Sequence, residues 1–332
     1  MIIQLQKNIT GLEAAQIASE IQAFHIVYEQ ENYLITGSGV KEVPTILVDK
    51  TVKSWVFPND LQLASSKFSA KKRSVQFGNV LIGGDTKNTV IIGGPCSVES
   101  EEQIRASSTF ISGLGLNVLR GGCYKPRTSP YSFQGLGLEG LKLLAKMRDE
   151  FGLAVITEVR DATQIDEVIA YSDIIQVGAK AMYDQGILRA CAKTQKPVLI
   201  KRGFGTTLQE FVQAAEFVLS GGNPNVILCE RGIRTFETGT RFTLDLCGVA
   251  WLKQHTNLPI ILDPSHAMGY AYGVADLARA CVAMGIDGLL IETHPDPSVA
   301  KSDASQQLNH AEFESLISSL RPVATSVGYN IV

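Results

Sequence analysis

Cys96 in GGPCSVES, His266 in LDPSHAMG, Glu292 in IETHPDP and Asp303 in KSDASQQL offer a thiolate, an imidazole and two carboxylates. Such a mixed donor set suits a divalent Mn, Fe, Co, Zn or Cu ion better than Ca or Mg alone. Taken singly each residue says little, since a lone Cys is more often a small buried hydrophobe. A second group is cationic: Arg120 in NVLRGG, Lys125 and Arg127 in CYKPRTSP, Lys180 in GAKAMYD, Lys201 and Arg202 in LIKRG, and Arg231 and Arg234 in CERGIRT. Arginine presents a planar fork to phosphate or carboxylate, and lysine a point charge. The chain has 30 Lys+Arg against 33 Asp+Glu, a net charge of −3. Eight cations gathered in one place would therefore suit two phosphorylated ligands, or a phosphate plus a carboxylate. The bland alternative is that several merely pair with neighbouring Asp and Glu.

What must gather them is a repeated element. Apolar runs at 90–94, 117–122, 154–159, 173–178, 197–203, 225–232, 259–266 and 287–294 are each followed by a helical stretch. Their starts are spaced by about 28 residues, which fits one strand, one helix and two short loops. Helix signals lie in the gaps: Ser100 with Gln103 and Thr207 with Glu210 read as capping boxes, and Gly115, Gly152, Gly221 and Gly285 as helix stops. Eight right-handed parallel crossovers close into a (β/α)8 TIM barrel, with an open doubly wound sheet as the alternative. In such a barrel, functional groups sit at the C-terminal ends of the strands. The cations fall after strands 2, 4, 5 and 6. Closure makes strands 8 and 1 neighbours, so Cys96, His266, Glu292 and Asp303 can converge.

Ahead of the barrel, residues 1–63 alternate strand-like runs (2–6, 23–28, 32–36, 53–57) with helical stretches (11–22, about 40–48), the βαββαβ order of a ferredoxin-like α+β domain. Residues 64–74, ASSKFSAKKRS, read as a solvated linker. The barrel domain, 75–332, opens with a hairpin in QFGNVLIGG turning at Gly78-Asn79. With 45% hydrophobic and 19% charged residues the chain has ample material for a large core. Its charge gives no case for nucleic-acid or anionic-membrane binding. Six scattered Cys without a CxxC pair fit a reduced compartment. MIIQLQKNIT lacks a basic segment before an apolar one, and no apolar run reaches about 18 residues. The expectation is a cytoplasmic protein with no membrane partner.

The motifs GGPCSVES, LRGGCYKPRTSPYSFQGLG, KRGFGTTLQEF, ILCERGIRTFET, LDPSHAMG, IETHPDP and KSDASQQL, in this order over about residues 75–330, resemble those of the 3-deoxy-D-arabino-heptulosonate 7-phosphate (DAHP) synthases. The resemblance is to their short-barrel subgroup, shared with 3-deoxy-D-manno-octulosonate 8-phosphate synthase, and residues 1–63 resemble the regulatory extension some members carry. It implies a transferase that condenses phosphoenolpyruvate with erythrose 4-phosphate, the first step of the shikimate pathway to aromatic amino acids. C3 of phosphoenolpyruvate attacks the aldehyde, and water adds at C2 before phosphate leaves. A metal acting as Lewis acid orients that aldehyde. The resemblance carries the metal ligands onto Cys96, His266, Glu292 and Asp303. It puts phosphoenolpyruvate contacts on Arg120, Lys125, Lys201 and Arg231 and on the Ala179-Lys180 motif, and aldose-phosphate contacts on Arg127 and Thr128. Substrate thus also touches His266 and Asp303, and catalysis falls to Lys125, Cys96 and His266. Lys125 or a metal-bound water delivers the proton to the new alkoxide, and both stay open. A homotetramer inhibited by Phe or Tyr bound at the N-terminal unit is the matching regulatory expectation. The octulosonate reaction, with arabinose 5-phosphate, is the nearest alternative; a lysine-dependent aldolase with Lys201 as Schiff base and a phosphoenolpyruvate-sensing barrel are more distant ones.

One departure stands out. The family's fourth-strand motif runs GARN, and here it is GAKA, with Lys180 and Ala181. Lysine keeps the charge but loses the bidentate fork, which weakens an anion contact. Lys180→Arg is therefore expected to lower the Michaelis constant for phosphoenolpyruvate in initial-rate kinetics. An unchanged constant would count against a weakened contact.

Overall fold

The computed structural model describes residues 1–125 and 129–332. The chain opens with β1 (Ile2–Leu5), α1 (Gly11–Glu20), β2 (Phe24–Tyr28), β3 (Glu31–Ile35) and β4 (Thr51–Trp55). These strands form an antiparallel sheet in the order β2-β3-β1-β4. The helix expected near 40–48 is a 3-10 turn, Thr45–Lys50. Pro44 sits just before it, and Thr45, Ile46 and Val48 are β-branched and weak helix formers. The last strand accordingly begins at Thr51 rather than Lys53. One sheet face packs Ile3, Leu5 and Leu34 on Ile17 of α1 and on Leu47. Ile2, Ile26, Tyr33 and Ile35, on the other face, join the core that continues into the rest of the molecule.

A hairpin of β5 (Ser74–Phe77) and β6 (Val80–Gly83) follows, turning at Gly78 with φ +53°. The barrel then alternates β7 (Asn88–Gly94), α2 (Glu101–Gly113), β8 (Val118–Arg120), α3 (Leu138–Phe151), β9 (Ala154–Val159), α4 (Ile165–Tyr171), β10 (Ile174–Val177), α5 (Gln185–Lys193), β11 (Val198–Lys201), α6 (Leu208–Ser220), β12 (Val226–Glu230), α7 (Leu246–His255), β13 (Ile260–Leu262), α8 (Pro264–Met268), α9 (Ala271–Ala283), β14 (Gly288–Glu292) and α10 (His310–Ser326). All eight strands are parallel, and β14 pairs with β7 to close the ring. The fold is thus a TIM barrel behind a small antiparallel sheet. A two-residue strand, β15 (Asn330–Ile331), adds to the start of β7.

The apolar runs become strands, but several strands stop short of the run. In PIILDPSH the strand ends at Leu262, because Asp263 caps α8 by accepting the His266 N–H and Pro264 occupies the first helical turn. Thr207 and Glu210 form the full capping box expected of them. Ser100 accepts the Gln103 N–H, whereas the Gln103 side chain bonds Ser97 and Glu99, so that box is half made. The hairpin seals the base: Val75, Phe77, Val80 and Ile82 pack against Val90, Ile92, Val118, Leu199 and Ile227 inside the barrel.

Residues 64–74 are not a solvated linker. Leu63 and Ala64 are fully buried, and Phe68 stands edge-on to Tyr33 and Trp55. Glu216 of α6 accepts the N–H groups of Gln62, Leu63 and Ala64 at 2.6–3.1 Å. Arg73 is buried, donating to Asn257 Oδ1 at 3.1 Å and to the Leu63 carbonyl at 3.2 Å. The exposed Lys67 and Lys71 give the segment its polar look, while Phe68 and Arg73 anchor it. Among the described residues no helix is long and apolar enough to cross a membrane.

Gly94 closes β7 at φ +140°, and a Cβ there would lie 2.3 Å from the carbonyl oxygen of Arg120. This close approach sets the chain carrying Cys96 beside the end of β8. Gly94→Ala combines a backbone clash with a disfavoured dihedral, so it should destabilise the fold by about 2 kcal/mol or more. Urea denaturation measures this, and a midpoint equal to that of the parent protein would contradict it.

Candidate active site at the barrel mouth

Cys96 lies just beyond β7, Glu292 ends β14, and Asp303 sits in the loop after it. Asp303 is held in the left-handed region at φ +45°, ψ +40°, a conformation Asp tolerates better than most side chains and one that clusters at functional sites. Its Oδ2 is 3.3 Å from Cys96 Sγ. One ligand atom each from Cys96, Glu292 and Asp303 falls within 4.8 Å of the others. His266 borders this group rather than joining it: Nε2 is 3.6 Å from Glu292 Oε1, while Nδ1 meets Asp263 Oδ2 at 2.8 Å. A buried thiol, two carboxylates and a bordering imidazole with its Nδ1 already engaged are chemically fit to hold a transition-metal ion.

Neighbouring groups orient and compensate this set. The Cys96 N–H donates to Gln307 Oε1 at 2.9 Å, and Lys125 Nζ lies 3.0 Å from both the Sγ and the carbonyl oxygen of Cys96. Arg120 Nη1 donates to Glu292 Oε1 at 2.6 Å, and Gln306 Nε2 donates to Glu292 Oε2 at 2.5 Å. Burial, together with the nearby Glu292 carboxylate, pushes the Cys96 thiol up to about 12. For Asp303 burial acts upward too, but His266, Arg241 and Lys125 outweigh it and hold the carboxyl well below its usual range.

A cavity of about 360 Å³ adjoins the group and is lined by cations. Lys125, Lys180, Lys201, Arg231 and Arg234 all reach it, as does the backbone turn at Ala179. Lys201 Nζ donates to Asp263 Oδ2, an ion pair rather than the free amine a Schiff base needs. Arg231 is buried, and its Nε and Nη1 have no partner among the described residues. Arg202 turns away: Nη1 pairs with Glu230 at 2.9 Å and Asp245 at 2.8 Å, as the bland alternative had it. Arg127 and Thr128 lie outside the described residues.

The structure also brings in residues that strand-end reasoning passed over. Arg241 and Phe242 line the cavity from far along the β12–α7 loop, and Phe204 from the loop after β11. Arg241 Nη1 reaches Gln306 Oε1 at 2.7 Å and Asp303 Oδ1 at 3.4 Å. The signal for these residues was their type, a cation and aromatics in glycine-bearing loops, but not their position.

Residues 62–327 match the DAHP synthetase I family. The chain belongs to that family. It is 43% identical over 270 residues, 81% of this chain and 79% of the other, to the phospho-2-dehydro-3-deoxyheptonate aldolase of Thermotoga maritima. It is 34% identical over 261 residues to the 2-dehydro-3-deoxyphosphooctonate aldolase of Bradyrhizobium diazoefficiens, covering 73% of this chain and 92% of that one. The crystal structure of the T. maritima phospho-2-dehydro-3-deoxyheptonate aldolase (DAHP synthase) superimposes over 100% of this chain and 98% of its own, with a TM-score of 0.80 and 35% identity. A truncated form of the T. maritima 3-deoxy-D-arabino-heptulosonate 7-phosphate synthase covers 81% of this chain and 98% of its own, with a TM-score of 0.76 and 39% identity. The short-barrel resemblance read from the motifs therefore holds, and the chain is an enzyme of the aldol-condensing type.

Arg202 tests the division between structural and ligand-facing cations. Arg202→Met leaves Glu230 buried without its partner, which should cost about 3–5 kcal/mol of stability. Chemical denaturation gives the value, and a loss below about 1 kcal/mol would return Arg202 to the ligand-binding set.

Proposed function

We propose that the chain is a metal-dependent cytoplasmic synthase that condenses phosphoenolpyruvate with erythrose 4-phosphate, giving 3-deoxy-D-arabino-heptulosonate 7-phosphate and phosphate for aromatic amino acid biosynthesis. The observation that carries this reading is the buried Cys96–Glu292–Asp303 group standing directly beside a cation-lined cavity with arginine donors that have no partner among the described residues. Cys96, Glu292 and Asp303, with His266, would hold a divalent ion. When bound, it supplies Lewis-acid polarisation of the aldehyde. Arg231, Lys201 and Arg120 gather the anionic substrate, and Lys180 adds charge at the exposed rim. Holding two anions together against their repulsion is the main task of the cations, so most of the catalytic gain comes from positioning. Lys125 stands between Cys96 and the cavity, where an ammonium can give its proton to the alkoxide that forms. The heptulosonate reading is preferred to the octulosonate one because the T. maritima relative is the more similar in sequence and the full-length T. maritima structure spans the N-terminal sheet as well. That sheet would carry Phe or Tyr feedback inhibition in a homotetramer.

The test is phosphate release from phosphoenolpyruvate with erythrose 4-phosphate. Turnover should be lost on chelation and restored by Mn. Turnover with arabinose 5-phosphate alone would transfer the chain to the octulosonate reaction, and activity that survives chelation would remove the metal from the proposal.

A further inference from the structure

The β12–α7 loop carries Arg231 at its start and Phe242 near its end, and its backbone brings the two together. Ile233 and Thr243 exchange both main-chain hydrogen bonds at 2.9 Å. The Phe242 N–H donates to the Ala267 carbonyl of α8 at 2.9 Å. Gly232 has φ +96°, and a Cβ there would lie 2.7 Å from the Phe242 Cβ, so the missing side chain is what admits the ring. The Arg231 guanidinium consequently sits 4.3 Å from the Phe242 ring centroid. Phe204 stacks on Phe242 at 5.5 Å and 24°, and Arg234 lies 4.8 Å from the Phe204 centroid. A hydrogen bond of 2.7 Å from the Arg234 N–H to the Phe204 carbonyl ties the two loops together.

The partners chosen by the other buried cations of the mouth make this arrangement informative. Arg120, Lys201 and Arg202 each meet a carboxylate. Arg231 meets none at ion-pair distance among the described residues, and two of its buried donors are unmade. A carboxylate would have cancelled the charge and filled the fork. A ring face attracts the cation through its quadrupole and takes up none of the N–H donors, which lie in the guanidinium plane. Buried donors without a partner are costly unless something arrives to accept from them.

We propose that Phe242, backed by Phe204, is a positioning residue that holds Arg231 with its donors free for an anionic group of phosphoenolpyruvate. This rests on the function proposed above. Phe242→Leu keeps the bulk and removes the ring face, so the dissociation constant for phosphoenolpyruvate measured by calorimetry should rise about 10-fold. The Michaelis constant for phosphoenolpyruvate should rise with it, while that for erythrose 4-phosphate stays within about twofold. Phe242→Tyr keeps the face and should bind phosphoenolpyruvate like the parent. Phe204→Leu, which loosens the ring from behind, should give a smaller rise and serves as the test if Phe242→Leu does not fold. Parent-like binding in the Leu variants, equal losses for both substrates, or a Tyr variant as weak as the Leu variant would each overturn the positioning role. Calorimetry needs no turnover, so the two proposals fail separately. A parent protein that binds phosphoenolpyruvate but releases no phosphate with any aldose phosphate overturns the function alone.

Discussion

Several carboxylates and a thiol crowd one end of the barrel, and taking them out of water is costly unless opposite charge comes with them. The structure meets this with pairs that run between strands. Arg120 of β8 reaches Glu292 of β14, Lys201 of β11 reaches Asp263 after β13, and Arg202 joins Glu230 of β12 to Asp245 at the start of α7. Below this layer the barrel is filled by Val, Ile and Leu and plugged by the hairpin. The lower layer accounts for cohesion, and the upper layer for which side chains face which. Removing one partner from the upper layer would strand its counterpart, so the pattern specifies a unique arrangement more than it adds stability.

Within that layer two kinds of cation can be told apart by what already satisfies them. Arg202 has two carboxylates and a carbonyl and is committed to the scaffold. Arg231 has a ring face and, among the described residues, two donors without a partner. Lys125 is intermediate, since its partners are the sulfur and carbonyl of Cys96, themselves part of the ligand group. Counting charges along the sequence gives the size of the anion-binding task, and the partners decide which residues perform it.

The barrel was legible because a parallel strand buried on both faces reads as an unbroken apolar run, and eight such runs recur at an even spacing. Cys96 and Glu292 were legible for the same reason, each lying at or just after a strand end, and Asp303 because it stands in the KSDASQQL motif. What escaped depends on how a loop folds back on itself. Arg241 and Phe242 enter the site only because the loop doubles back through the Ile233–Thr243 bridge, a fold that Gly232 permits and no periodicity announces. In LDPSH, Asp263 and Pro264 cut the strand and start a helix, so His266 arrives on a helical turn that leaves it beside the ligand group. The burial of Phe68 and Arg73 was hidden among lysines and serines, whose exposed positions dominate the composition of that segment.

The ligand group straddles the seam of the barrel. Cys96 follows the first strand, and Glu292 and Asp303 belong to the last, so about two hundred residues separate them along the chain. β7 is also gripped at its start by β15, the last strand of the chain. During synthesis, therefore, a nascent chain holds Cys96 long before anything can share a ligand with it. Contacts this distant carry a loop-closure cost in entropy and slow folding. Until the ring shuts, the donors of this group stand on strands that have not met.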